Sequence, residues 1–349
     1  MTASVTESVY FYTYVIKEKE EIQMSENIIK VDNLIKEFKV TKKEKGLSGA
    51  FKNLFKNEKK IVRAVDNISF DIKKGETVGY IGPNGAGKST TIKMMSGILQ
   101  PTSGNVMIDG LDPHKDRKKV VMNLGVVFGQ RTQLYWDLRL GESFELIKRI
   151  YKIPNELYKQ NIELMNDILN INDIVDTPVR QLSLGQRMRG DLVAAVLHSP
   201  PVLFLDEPTI GLDIEGKYAI RKFIKDINEA YKTTIILTTH DLDDIKELCK
   251  RIIVINHGKI VEDGSLDDLI GKIAPIRKLI IDFYDEQPDI SHPKAVVAKK
   301  EGARVWFEFE KDVITAAELI ADISKNYSVM DLSLEEADIE DIIRSVYNS

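Results

Sequence analysis

From residue 28 onward the chain alternates two hydrophobic periods. Short β-branched and aliphatic runs at 28–31, 68–72, 77–81 and 106–108 are set apart by turn residues such as Gly75 and the Thr102-Ser103-Gly104 cluster, and predict a sheet-rich first portion. Over 141–174 the period becomes helical, with Phe144, Leu146, Ile147, Ile150 and Tyr151 on one face. Strands return at 202–205, 234–237 and 252–255, each apolar throughout, as strands of a parallel sheet covered on both faces are. Beyond Gly271 the runs 278–284, 294–298 and 303–309 predict strands and 314–323 a helix. The tail 334–347 predicts a further helix, with Ile339, Ile342, Ile343 and Val346 on one face among acidic neighbours. The fold class is α/β with a helical insertion and a small C-terminal α+β appendage.

Composition narrows this picture. At 349 residues, 43% hydrophobic, 30% charged and a net charge of -5, the chain is globular rather than disordered, and no nucleic-acid partner is expected. The single cysteine, Cys249, excludes an internal disulfide and reads as a small core residue. No apolar run approaches the roughly 18 to 20 residues of a membrane span, so any service to a membrane runs through partners. Residues 1–24 carry no signal-peptide pattern and read as a disordered leader, with Met24 as an alternative start to Met1.

The sharpest chemistry lies at Gly82-Pro83-Asn84-Gly85-Ala86-Gly87-Lys88-Ser89, which fits G-x-x-x-x-G-K-[ST] between the strand 77–81 and a helical stretch opening at Thr90. Glycines admit phosphate oxygens to backbone N–H groups, the helix N-terminus adds its dipole, Lys88 reaches the terminal phosphates and Ser89 ligates Mg²⁺. A plain glycine-rich turn is the bland alternative. A second site ends the apolar strand 202–205: Asp206 suits the Mg²⁺ shell, and Glu207 is placed to polarise a water against a γ-phosphate. Ser183 heads a helical stretch whose N-terminus suits an anion, with an ordinary N-cap as the alternative. His240, at the end of the strand 234–237, reads either as the holder of the attacking water or, as a lone histidine at a strand end more often is, as structural; its place among the motifs that follow favours the first.

Leu182-Ser183-Leu184-Gly185-Gln186-Arg187 resembles the signature of ABC-type ATPases, Gly211-Leu212-Asp213 their D-loop, Thr238-Thr239-His240-Asp241 their switch histidine and Gly129-Gln130 their Q-loop. The resemblance covers about 28–271 and implies a P-loop NTPase core with a parallel sheet, an antiparallel β-subdomain and a helical subdomain of ABC type. It implies MgATP sandwiched between two such domains, so that Ser183, Gly185, Gln186 and Asp213 of one chain face the nucleotide of a homodimeric or heterodimeric partner. It further implies Gln130 beside Ser89 and Asp206 on the metal, and an adenine-stacking aromatic at Phe38, with Phe51 and Phe55 as competitors and Gln133 competing with Gln130. Leu184 replaces the glycine usual at the third signature position. Within the family the sequence is most similar to ATP-binding subunits of bacterial ABC-2 type exporters. That likeness implies an ATPase on the cytoplasmic face of the membrane, coupled to separate polytopic permease subunits.

The expected organisation is therefore a leader at 1–24, an ATP-binding domain at 25–272 and an accessory α+β domain at 273–349. Within the ATP-binding domain, 41–60 reads as a basic amphipathic insertion. Its Leu47, Ala50, Phe51, Leu54 and Phe55 recur at helical spacing among seven lysines, which fits an anionic leaflet or a packed surface helix. Two other readings remain at this stage. A soluble ABC ATPase of translation or DNA repair lacks the duplicated motif set or long coiled coil it would carry, and a non-hydrolysing regulator is at odds with Lys88, Asp206, Glu207 and His240 standing together.

Overall fold

The computed structural model describes residues 27–41, 59–129, 131–273, 276–286, 289–310 and 312–335. The expected leader 1–24, residues 42–58 of the basic insertion, Gln130 and the tail 336–349 lie outside the described residues. The chain forms two compact units, Met1–Asp263 and Gly264–Ser349. That boundary lies upstream of the expected 272/273 and places the helix Leu266–Ile273 in the second unit.

In the first unit β1 (Asn27–Thr41) and β2 (Lys59–Lys73) form a long antiparallel ladder, and β4 (Ser103–Ile108) pairs on the other side of β1. Thr41 faces Lys59 across the ladder, so the expected insertion leaves and re-enters the sheet as strand, and its expected helical spacing, Leu47 to Phe55, lies outside the described residues. β3 (Thr77–Ile81) belongs instead to a six-stranded sheet with β5 (Leu124–Phe128), β6 (Val202–Asp206), β7 (Thr234–Thr238), β8 (Arg251–Asn256) and β9 (Lys259–Ser265), in the order β5-β6-β7-β3-β8-β9. The ladders β5–β6, β6–β7, β7–β3 and β3–β8 are parallel. Val202, Leu203, Phe204, Leu205 and all of β7 are fully enclosed, which explains their unbroken apolar sequence.

Between the sheets lies a core of Ile29, Leu34, Ile72, Val78, Tyr80, Ile92, Met94 and Phe204. The helical insertion consists of α3 (Leu140–Tyr151) and α4 (Asn155–Leu169), following α1 (Lys88–Met95) and α2 (Arg117–Met122). Then come α5 (Leu184–Val196), α6 (Ile214–Tyr231) and α7 (Leu242–Leu248).

In the second unit, α8 (Leu266–Ile273) precedes β10 (Ile276–Phe283), β11 (Val296–Glu301), β12 (Arg304–Glu310), α9 (Ala316–Ser324) and β13 (Val329–Glu335). The four strands form an antiparallel sheet in the order β11-β12-β10-β13, and Leu279, Ile281, Val305, Phe307, Leu319 and Ile323 share its core. The start of the expected C-terminal helix is corrected here. Leu334 lies in β13 opposite Leu279, because Leu332 and Leu334 alternate with Asp331, Ser333 and Glu335 at the period of a strand.

Candidate functional site

The parallel sheet aims three strand ends at one place. β3 stops at Ile81 and the chain curls through 82–87 into α1. A Cβ on Gly82 would lie 2.1 Å from the Ile255 carbonyl oxygen, and one on Gly87 2.5 Å from that of Ala64, so both positions exclude a side chain. Gly85, at φ 82°, and Asn84 form the exposed tip, and the Ala86 N–H donates to the Pro83 carbonyl (3.1 Å). α1 then opens without a side-chain cap and without an acidic residue in its first turn, which leaves its leading N–H groups, from Lys88 through Thr90, for an anion. Lys88 is buried with its Nζ inside the curl, donating to the carbonyls of Gly82 (2.6 Å) and Pro83 (3.3 Å). Burial lowers its pKa from the ordinary lysine value, against the opposing charges of Glu207 and Asp206. A phosphate in the loop would favour the ammonium in the same way, so loop shape and charge both fit a nucleotide triphosphate.

Asp206 closes β6. Its Oδ1 accepts from Thr238 Oγ1 (2.6 Å) at the end of β7 and from Ser89 Oγ (3.3 Å) at the start of α1. A carboxylate and a hydroxyl side by side are hard oxygen donors. Among the described residues there is no cluster of three or more His, Cys, Asp or Glu that could hold a metal ion. Glu207 follows with φ 56°, a left-handed backbone rare for a residue with a side chain. Two bonds hold it there, from its N–H to the Thr238 carbonyl (2.9 Å) and to Thr238 Oγ1 (3.1 Å). Gly129 makes room: its N–H donates to the Asp206 carbonyl (2.7 Å), and a Cβ there would lie 2.3 Å from the Glu207 carbonyl oxygen. The outcome is that Glu207 Oε1 stands 2.9 Å from His240 Nε2, a carboxylate and imidazole able together to orient and deprotonate a water.

The signature residues stand on a different element. Ser183 caps α5 in a reciprocal capping box: Ser183 Oγ accepts from the Gln186 N–H (3.2 Å) and Gln186 Oε1 from the Ser183 N–H (2.9 Å). Asp213 caps α6 by accepting from the Gly216 N–H (2.8 Å). A Cβ on Gly211 would lie 3.0 Å from Leu184 Cδ2 and one on Gly185 3.8 Å from Leu212 Cδ2, so the two segments lie against each other. Ser183 and Asp213 are both exposed, and among the described residues neither is hydrogen-bonded to the phosphate loop. Phe38 is exposed on β1, with Lys36 Nζ 5.3 Å from its ring centroid.

Two supporting residues, Asp191 and Asp244, lie outside every motif, while Thr238 and Gly129 lie within motifs that give them no role of their own. Asp191, on the buried face of α5, accepts on one oxygen from Thr132 Oγ1 (2.9 Å) and the Gln133 N–H (2.9 Å). Gln133 in turn donates its side-chain amide to the Asp191 carbonyl (2.8 Å), which ties the segment after Gly129 to the signature helix. Burial pushes the Asp191 carboxyl up to about 6, against the lowering effect of those bonds. Its sequence signal is a lone carboxylate within the apolar face of 188–196.

Comparison with known proteins gives one consistent result. The ABC transporter family profile matches residues 65–210. The ABC transporter ATP-binding protein NatA of Bacillus subtilis is 34% identical over 215 residues, 62% of this chain and 87% of the relative. A methionine import ATP-binding protein, MetN 1 of Oceanobacillus iheyensis, is 32% identical over 280 residues, covering 79% and 81%. A probable multidrug ABC transporter ATP-binding protein of Escherichia coli, YbhF, is 34% identical over 236 residues, covering 67% and 38%. Among solved structures, the dimeric ATP-binding cassette MJ0796 in a post-hydrolysis state with ADP and Pi superposes with a TM-score of 0.57 at 26% identity, over 68% of this chain and 98% of that one. CbiO1 of Clostridium perfringens, part of the transporter complex cbiONQ, gives 0.56 at 27% identity, over 71% and 95%.

Proposed function

The chain belongs to the ABC transporter ATP-binding family and is an ATPase that energises membrane permease components, and from that premise we propose that it drives an exporter of the ABC-2 type from the cytoplasmic face of the membrane. Support for this reading comes from the likeness of the sequence to ABC-2 type subunits; the probable multidrug relative is in keeping with it without stating a direction. The methionine import relatives favour a second reading, an importer ATPase with the same chemistry.

One observation carries the hydrolytic roles: Glu207 and His240 meet at 2.9 Å beside Asp206 and Lys88. Residues 82–90 hold the triphosphate, with Lys88 moving from the loop carbonyls to the terminal phosphates. Ser89, Asp206 and Gln130 would hold Mg²⁺, which would supply charge to neutralise the phosphates. Glu207 takes the proton of the attacking water and His240 keeps that water in line with the γ-phosphate. Phe38 offers its exposed face to adenine. Ser183, Gly185, Gln186 and Asp213 serve the nucleotide of a second copy or a similar chain. A partner surface at this end is supported by the exposure of Ile214 (87%) and Tyr218 (66%) at the start of α6. Closure of that pair requires ATP to bind the closed state more tightly than the open one.

Among the described residues no helix is long and apolar enough to cross a membrane, so the membrane partner is a separate chain in this reading. Tagged protein recovered from detergent-solubilised membranes should bring down a polytopic permease in stoichiometric amount. That complex in vesicles should move substrate away from the side where ATP is hydrolysed; movement towards it establishes the importer. Recovery with ribosomal or DNA-bound proteins and no permease overturns the transporter role.

A further inference from the structure

Behind the Glu207–His240 pair lies a second carboxylate that the hydrolytic roles leave unused. Asp244, on α7, is fully buried, and all its polar capacity is directed at neighbouring segments. Its Oδ2 accepts from Thr209 Oγ1 (2.6 Å) and Thr239 Oγ1 (2.8 Å), and its Oδ1 from Arg221 Nε (2.6 Å). Thr209 stands two residues beyond Glu207, and Thr239 immediately precedes His240. One oxygen atom therefore gathers the two chain segments on which the hydrolytic residues ride. Both threonines are buried to 3% exposure, so neither hydroxyl has water as a ready substitute.

Arg221 extends the arrangement. It lies on α6, the helix that Asp213 caps, with its side chain 12% exposed. It also donates to Asp241 Oδ1 (3.0 Å) and Glu247 Oε1 (3.3 Å), while Lys217 of the same helix donates to Asp241 Oδ2 (2.6 Å). The Asp241 N–H donates back to Thr239 Oγ1 (3.0 Å). A buried ion pair is poor value as mere stabiliser, because desolvation offsets much of its attraction and an apolar side chain would pack as well. What it supplies is a fixed register between parts that must not slide, provided every member is satisfied, as here.

We propose that Asp244 is a positioning residue: its shared oxygen sets the spacing between the segments bearing Glu207 and His240, and through Arg221 it makes that spacing depend on helix α6, whose N-cap Asp213 faces the partner chain. The inference rests on the hydrolytic roles given to Glu207 and His240. A displacement of α6 on dimer closure is thereby passed to the reacting pair through a side-chain ion pair and two hydroxyls.

The test is steady-state phosphate release by the full chain, with ATP affinity and thermal melting measured in parallel. Asp244→Asn should lower kcat about 10-fold or more while KM for ATP stays within about 2-fold, the cost expected of a small misplacement of reacting groups. A role confined to folding would multiply fully with any other loss, so the same substitution is placed on His240→Ala. There the additional loss should shrink to about 2-fold, because the spacing has lost one of its members. Full multiplication of the two losses, or an unchanged kcat in folded Asp244→Asn, overturns the proposal. Should Asp244→Asn melt below the assay temperature, Thr209→Val removes one of the three bonds at nearly constant shape and takes its place in the same comparison. A His240→Ala or Glu207→Gln protein as active as the parent would instead remove the hydrolytic reading itself, independently of Asp244.

Discussion

His240 Nε2 and Glu207 Oε1 lie 2.9 Å apart because their strands are neighbours in register. β6 and β7 pair in parallel with Asp206 opposite Thr238, so the residues leaving the two strands emerge side by side. Thr238 then binds the Glu207 N–H twice and holds its backbone at φ 56°. The pair is thus a product of sheet order as much as of sequence.

Replacing Glu207 with glutamine keeps the shape and the left-handed backbone and removes the base. Turnover should fall by at least about 100-fold, the usual worth of a positioned general base, with ATP affinity retained. Gel filtration in ATP should show the variant trapped as a dimer. Phosphate release at the parental rate would assign the proton transfer to another group.

Gly129 offers a test from behind. An alanine there would set its Cβ 2.3 Å from the Glu207 carbonyl oxygen and 3.0 Å from that of Asp206, both backbone atoms with no freedom to swing away. Gly129→Ala should cost about 1–3 kcal/mol by overpacking. In the protein that remains folded it should lower kcat about 10- to 100-fold through displacement of Glu207. Melting and phosphate release on the same preparation separate the two effects.

Thr238 donates to the carboxylate proposed as a metal ligand, at 2.6 Å. Losing such a bond typically weakens metal affinity about 10-fold. Thr238→Val should therefore raise the Mg²⁺ concentration for half-maximal activity by about that factor, and chelation should abolish activity in both proteins. An unchanged Mg²⁺ titration would take Asp206 out of the metal shell.

How much of this was legible in the sequence depended on how local the cause is. β6, β7 and β8 announce themselves because strands covered on both faces are apolar almost without interruption, and the phosphate loop because its glycines answer to backbone collisions within a few residues; β3 was legible as a strand but not as a member of the parallel sheet. Glu207 and His240 were legible as strand-end polar residues beside that loop. β13 was not: its seven residues are largely exposed, and only pairing with β10 makes Leu332 and Leu334 strand rather than helix. Nor were the supporting carboxylates. Asp191 meets Thr132 across 59 positions and Asp244 meets Thr209 across 35; the apolar residues around Asp191 mark it as buried, but nothing near either aspartate in the chain names its partners.

Asp191 gives the clearest pH signature. Its carboxyl is raised by burial from an ordinary 3.8 to about 6, so the native state holds the proton more tightly than the unfolded chain does. With the native pKa above the unfolded one, the stabilisation is complete below about pH 4 and is lost as the pH rises through about 6. A shift of that size corresponds to about 3 kcal/mol between the two limits. Asp191→Asn carries no charge to desolvate and keeps an oxygen for Thr132 Oγ1 and the Gln133 N–H. The stability difference between variant and parent should consequently be small near pH 4 and grow in the variant's favour up to about pH 7. Urea unfolding across that range reads it directly. A difference that does not change with pH would mean that Asp191 ionises as freely in the folded protein as in the unfolded chain, and that its link to the 132–133 segment is not under the strain of a buried charge.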